Sequence, residues 1–267
     1  RDSSTSRGLG DVYKRQGKGY ATFDYQALIV TGLNANGFDR NNWVAGGKQG
    51  FFEVDNFTSP AYVARLDYRG VPGLRIGGSF YYCVNTASNS DKVATYAGVK
   101  APLRIYTVDG QYKNKYVTAR TNFVFGNLTG ATAISNKNKG LSNSSPYTRV
   151  VQVAKKAVSY AGEVGVNLRS ICNGNKKVPV IYPFARYEYY NPQEAGEKGQ
   201  LPMDKRNQVS MWTAGLNWYA LPNLVVKADY MTRQIGTGKV FGKGKYNSEN
   251  EFSIGIAYVG WFITVSY

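Results

Sequence analysis

The stretch AYVARLDYRGVPGLRIGGSFYYC, residues 61–83, alternates on both sides of a tight turn. Tyr62, Ala64, Leu66 and Tyr68 interleave with Val63, Arg65, Asp67 and Arg69, and Val71, Pro72 and Gly73 then break the pattern. Beyond the break, Leu74, Ile76, Gly78, Phe80 and Tyr82 interleave with Arg75, Gly77, Ser79 and Tyr81. Period two on two arms around a Pro-Gly turn is a β-hairpin signature. Each arm has about ten residues, the length a tilted strand needs to cross the hydrocarbon of a bilayer.

The unit recurs. RIYTVDGQY and YVTARTNFVF flank Lys113-Asn114-Lys115, and SMWTAGLNWYA and LVVKADYMTR flank Leu221-Pro222-Asn223. SYAGEVGVNLR and IYPFARYEYY flank a longer connection, 170–180, while ATFDYQALIVTGL and EFSIGIAYVGWF stand at the two ends. This predicts about ten strands, with a competing helical period only around 147–156. The connections alternate in kind. Those at 34–59, 84–101, 127–156, 191–207 and 235–249 are long and rich in Gly, Asn, Ser and Lys; the intervening ones are short. Short turns on one side and long loops on the other is the pattern of an outer-membrane barrel, and a soluble sandwich has no reason to keep it. The expected fold is therefore all-β, an antiparallel up-and-down transmembrane barrel.

The two ends of the chain read differently. Ser6 to Gln16 are a direct translation of a transposase-end sequencing adapter, and Arg1-Asp2 fits its flanking primer. Residues 1–16 are taken as adapter-derived and are expected to be disordered. Residues 264–267 match the reverse complement of the same adapter, so the terminal Tyr267 is not used as a barrel end-signal. The barrel is assigned to residues 17–263, cut from a longer gene.

The net charge is +16 over 267 residues, with 43% hydrophobic and 14% aromatic residues. No apolar run of about 18 residues exists, which excludes a transmembrane helix but not a barrel, whose strands alternate. The chain has no His, which removes His metal ligands and every Ser-His or Cys-His catalytic pair. Its two Cys supply neither a metal site nor a disulfide framework. GTGKVFGKGKY, 236–246, departs from a phosphate-binding loop, because Thr237 stands at the first Gly position and Gly244 follows Lys243. No cofactor, no metal and no enzymatic activity are expected. The basic residues are spread along the chain, which argues against nucleic acid as a partner.

Placing the charged face of each strand inward predicts a pore lining. Its basic members are Arg65, Arg75, Arg120, Arg169, Arg186, Lys227 and Arg233; its acidic members are Asp67, Asp109, Glu163, Glu188 and Asp229, with Asp24 on the same face. Charges facing lipid cost a few kcal/mol each near the midplane, which fixes the direction. Tyr68, Tyr112, Tyr116, Trp218, Tyr219 and Tyr230 gather toward the short turns and are predicted to form an aromatic girdle at that interface. Cys83 follows a strand into a long loop, whereas Cys172 lies in a connection on the other side. An apolar band about 25 Å tall separates them, so they are expected to be unpaired.

The phrases LIVTGLNANGFDRNNW, SPAYVARLDYRGVPGLRIGGSFYY, YPFARYEYYN and GLNWYALPNLVVKADY resemble the phosphate-selective porin O and P family of Gram-negative outer membranes. The resemblance covers most of residues 17–263. It implies a trimeric porin of about sixteen strands, of which this chain is the C-terminal portion, embedded in outer-membrane lipid and passing small anionic or hydrophilic solutes. The family's anion-binding lysines are not carried over to positions here. Two rival readings remain: a structural or adhesive barrel working through its long loops, and a soluble β-protein binding carbohydrate or nucleic acid.

Overall fold

The computed structural model describes residues 10–16, 22–49, 57–90, 94–140, 152–236 and 246–258. They form one antiparallel sheet of eleven strands in chain order, each paired with its sequence neighbour. The strands are β1 (Gly10–Gln16), β2 (Phe23–Val30), β3 (Ala61–Tyr68), β4 (Leu74–Cys83), β5 (Leu103–Lys113), β6 (Val117–Leu128), β7 (Lys156–Val166), β8 (Val180–Ala195), β9 (Val209–Leu221), β10 (Leu224–Gly236) and β11 (Tyr246–Tyr258). Two helices interrupt the connections, α1 (Ala131–Gly140) and α2 (Leu168–Ile171). The all-β, up-and-down architecture expected from the alternation is what is found. Among the described residues the sheet is open, with β1 and β11 as its edges.

Three expectations are corrected. Part of the segment expected to be disordered is strand β1, paired with β2 from Gly10↔Ile29 to Gln16↔Phe23. The bonds are between backbones, and an unpaired edge accepts any extended segment whatever its side chains. Residues 1–9 and 264–267 lie outside the described residues, as does most of the 236–246 loop. Of the competing stretch 147–156, residues 147–151 lie outside the described residues and 152–155 are not helical, while a helix forms at 131–140, where strand and loop alone were expected. Gly130 turns into it at φ +75°, and Ala131, Ile134, Ser135 and Asn138 give it one buried stripe. Finally, β8 continues to Ala195 and β11 begins at Tyr246, so two of the long connections are shorter than expected.

The register holds a geometric signature. The row of paired residues through Asp67 passes Gly77, Asp109, Asn122, Ala161, Glu188, Met211 and Arg233. Asp67 adjoins the last residue of β3, but Met211 lies near the start of β9, ten residues before its short-turn end at Leu221. Averaged over both arms of each hairpin, the row drifts from the short turns by roughly seven residues across six strands. At about 3.3 Å per residue and about 4.8 Å per strand, this is a tilt of about 40°, inside the range of barrel strands.

The buried core does not lie between two sheets. It is built where the long connections fold onto one face of the strand ends. Phe38, Trp43, Val44, Tyr96, Ile134 and Val153 come from connections; Ala61, Cys83, Leu103, Leu128 and Ala157 come from strands. Those strand residues share the face that carries the charges further along.

Candidate functional site

Pairing register separates the two faces of the sheet. Asp24, Arg65, Asp67, Arg75, Asp109, Arg120, Glu163, Arg186, Glu188, Lys227, Asp229 and Arg233 share one face. Arg169 does not join them. It lies in α2, where its Nε donates to Val178 O at 2.6 Å. Asn167 N–H continues the ladder into Tyr116 O and its side chain caps α2, so the chain leaves the sheet before Arg169. Glu249 and Glu251 of β11 add two carboxylates to the charged face that the expected loop 235–249 had hidden in part.

Most of these charges are paired. The Arg65 guanidinium forks onto Asp67, Nε to Oδ2 at 2.8 Å and Nη2 to Oδ1 at 2.7 Å, and reaches Asp109 at 2.8 Å. Arg75 Nη2 closes the cluster on Asp109 at 2.7 Å. Gly77 makes room for it, since a Cβ there would meet both Arg65 Nη2 and Asp67 Oδ1. Asp24 pairs with Arg69 of the β3–β4 turn at 3.0 Å, Arg186 with Glu188, and Arg233 with Glu249 at 3.2 Å. Asp229 accepts from Ser253 Oγ at 2.9 Å. Arg120 and Lys227 have no carboxylate within salt-bridge range among the described residues. Four of the six expected cations on the strands are ion-paired, and with Glu249 and Glu251 the eight carboxylates of the face outnumber all six, so the face is less basic than expected.

The surplus positive charge sits on the short connections. Lys115, Arg169, Lys176 and Lys177 lie there with no Asp or Glu among them, beside Lys113 at the end of β5 and the Asp24-paired Arg69. Backbone bonds stitch this rim together: Lys113 N to Gly73 O at 2.8 Å, and Asn167 N to Tyr116 O at 2.7 Å. Gly73 holds φ +80°, and a Cβ there would strike the Lys113 carbonyl.

At the other end, the long connections cover the charged face. The β2–β3 connection lays Trp43 over Gly126 of β6, and Trp43 Nε1 donates to Ala154 O at 2.9 Å. Asn138 of α1 donates to Ala35 O and Phe38 O at 3.2 and 3.0 Å and accepts from Tyr96 OH, tying three connections together. Burial pushes the Tyr96 hydroxyl up to about 12. Asn89 bonds Ser59 N, Ser59 O and Leu33 O. Such carboxamides satisfy the backbone groups that buried loops would otherwise leave unpaired. Glu197, from the β8–β9 connection, caps α1 by accepting from Thr132 N at 2.9 Å and Gly130 N at 3.1 Å. Partial burial pushes its carboxyl up, but the amide bonds outweigh this and hold it below its usual value.

The opposite face carries the large apolar side chains, and it is exposed: Trp212 60%, Phe252 65%, Ile254 69%, Ile256 73%. Four strands running the same way repeat one pattern on it: Tyr62-Ala64-Leu66-Tyr68, Tyr106-Val108-Gly110-Tyr112, Trp212-Ala214-Leu216-Trp218 and Phe252-Ile254-Ile256-Tyr258. An aromatic residue stands at both ends of each. Six residues rise about 20 Å along a strand, or about 15 Å along the axis at the tilt above. With the reach of the rings, this approaches the apolar band of about 25 Å in outer-membrane barrels.

Of the residues expected in the girdle, Tyr68, Tyr112 and Trp218 lie on this face at the short-turn end. Tyr116 is in the β5–β6 turn with Lys115 over its ring at 5.2 Å. Tyr230 lies on this face but mid-strand, opposite Ala214. Tyr219 is on the charged face, where its ring meets Tyr182 at 5.4 Å. A second aromatic band, toward the long connections, was not anticipated. Phe80, Tyr106 and Phe125 run across it in one group; in a second, Tyr160 meets both Tyr189 and Tyr187, and Tyr187 meets Trp212, with contacting centroids 4.5–6.4 Å apart. For Tyr106 and Trp212 its signal was the spacing of six to Tyr112 and Trp218 within the strand.

No protein-family model and no curated protein matches the chain. Among solved structures the chain is similar to OccK11 (OpdR) of Pseudomonas aeruginosa, with a TM-score of 0.42 and 14% identity. The match covers 93% of this chain and 61% of that one, so the chain spans less than two thirds of its length.

Proposed function

We propose that the chain is part of a Gram-negative outer-membrane porin, a β-barrel through which small hydrophilic solutes diffuse passively with a bias toward anions. One observation carries the reading: the sheet exposes its apolar face and covers the end of its charged one. A soluble β-protein does the reverse. In lipid the exposed rings and aliphatic side chains find an apolar solvent, and the two aromatic bands fall where interfacial rings are favoured. A strand tilt of about 40° and alternating short and long connections agree with a barrel closed by further strands.

The anion bias rests on the basic short-turn rim and on Arg120 and Lys227, which have no carboxylate within salt-bridge range among the described residues; these raise local anion concentration at the mouth and along the wall. The ion-paired Arg65 and Arg75 contribute structure rather than field. Phosphate is the solute suggested by the resemblance, and a homotrimer the assembly. The test is the reversal potential of the barrel in a planar bilayer under a salt gradient, with chloride and then phosphate. A cation-selective potential refutes the bias, and equal permeability to the two anions refutes a phosphate preference. The packed connections over the charged face favour a second reading, a plugged barrel that acts through its loops. A folded, inserted barrel without conductance establishes that one instead.

A further inference from the structure

Along the apolar face, the paired positions from β2 to β11 include only two charged side chains, and both are cationic. They are Arg104 of β5 and Lys156 of β7. They are neighbours: Asn127 of β6 pairs with each of them in one row. Two strand spacings put their Cα atoms about 10 Å apart. Arg104 lies over the Tyr82 ring at 5.4 Å, and neither cation has a carboxylate within salt-bridge range among the described residues. Glu194, near the end of β8, is held by Asn191 Nδ2 at 2.8 Å. Both cations stand just beyond the unanticipated aromatic band, one pleat from Tyr106 and two from Tyr160, on the long-connection side.

Two like charges side by side at the margin of an apolar surface repel each other, and an anion between them removes that cost. The depth selects the anion. Below the pair lie rings and aliphatic side chains that suit acyl chains; at their level lie the headgroups. On the proposed membrane reading, we infer that Arg104 and Lys156 bind the phosphate of a phosphorylated lipid in the leaflet on the long-connection side. The guanidinium supplies a planar fork for two phosphate oxygens; the ammonium supplies a point charge on a stem long enough to reach the same group. Free phosphate lacks the chains that the apolar surface beneath would hold.

The full chain in detergent micelles, titrated with diphosphoryl lipid A and read by native mass spectrometry, tests this. R104Q/K156Q should lose about thirtyfold in lipid retention, as expected for removing two interfacial cations, while R120Q, on the other face, should match wild type. Equal retention by wild type and R104Q/K156Q overturns the inference, as does equal retention of dephosphorylated lipid A by the wild type. Inorganic phosphate held at the same two residues without lipid overturns the lipid assignment. Insertion is read separately by quenching of tryptophan fluorescence with brominated lipids. A chain that fails to insert overturns the membrane reading and this inference together; one that inserts but shows equal retention overturns only the latter.

Discussion

Gly126→Ala should release the β2–β3 connection from the charged face. A Cβ at this position would overlap the six-membered ring of Trp43, touching Cη2, Cζ3 and Cζ2. The ring must retreat by an ångström or more to reach ordinary contact, about 3.5–4 Å between carbons. Retreat breaks the 2.9 Å bond from Trp43 Nε1 to Ala154 O. Overpacking costs about 1–3 kcal/mol, and leaving the Ala154 carbonyl buried without its donor costs about 1–3 kcal/mol more. Trp43 also holds φ 53°, a conformation costly for a bulky residue and kept only by its packing. Together these shift the connection toward its released state by roughly 3 kcal/mol, more than a hundredfold in population. The assay is acrylamide quenching of tryptophan fluorescence with single-channel conductance: both should rise in G126A. Gly162→Ala is the control, since a Cβ on that neighbouring strand meets nothing within 4 Å. Unchanged quenching and conductance in G126A would refute the reasoning.

Glu197→Gln should weaken the α1 cap by about 1 kcal/mol at pH 7, seen as faster hydrogen exchange at Gly130 and Thr132. Because the folded carboxyl titrates below its unfolded value of about 4.3, its contribution is full above that value and fades as pH falls through the folded one; wild type should show this loss and E197Q should not. Arg65→Gln should cost about 2 kcal/mol in urea unfolding by stranding Asp67, while Asp109 keeps Arg75, and pairing it with Asp67→Asn should recover part of that; a larger loss in the double variant contradicts the cluster. Cys83 is buried and Cys172 exposed, both free. A membrane-impermeant maleimide should therefore label Cys172 in the folded chain and Cys83 only after unfolding. Labelling of both at equal rates would place Cys83 wrongly.

The elements legible in sequence were those that depend on near neighbours. Period two needs only the geometry of a pleated strand, so Tyr62 to Tyr68 and Leu74 to Tyr82 declared both the strand and its two faces. Turn chemistry at Val71-Pro72-Gly73 and Pro222-Asn223 declared which connections were short. From these the membership of the charged face followed, with Arg169 misplaced because a three-residue difference in where a strand stops is invisible to periodicity. Tyr219 was misplaced for a related reason: position near a turn says nothing of the face, which parity along β9 decides.

What only the tertiary structure decided was set by contacts between residues distant in the chain. Which charges neutralise each other depended on register, which brings Arg65 beside Asp109 across two strands. Helix α1 depended on a cap from Glu197, more than sixty residues away. The long connections looked polar by composition, yet Phe38, Trp43 and Ile134 give them a core once the strand ends supply a wall. Strand β1 formed because β2 offered an edge of unpaired backbone groups, which recognises extended chain and not side chains. Sequence by itself determined the alternation, and with it the two-sidedness of the sheet; register, stagger and long-range packing determined which of those side chains remain free to meet a solute or a lipid.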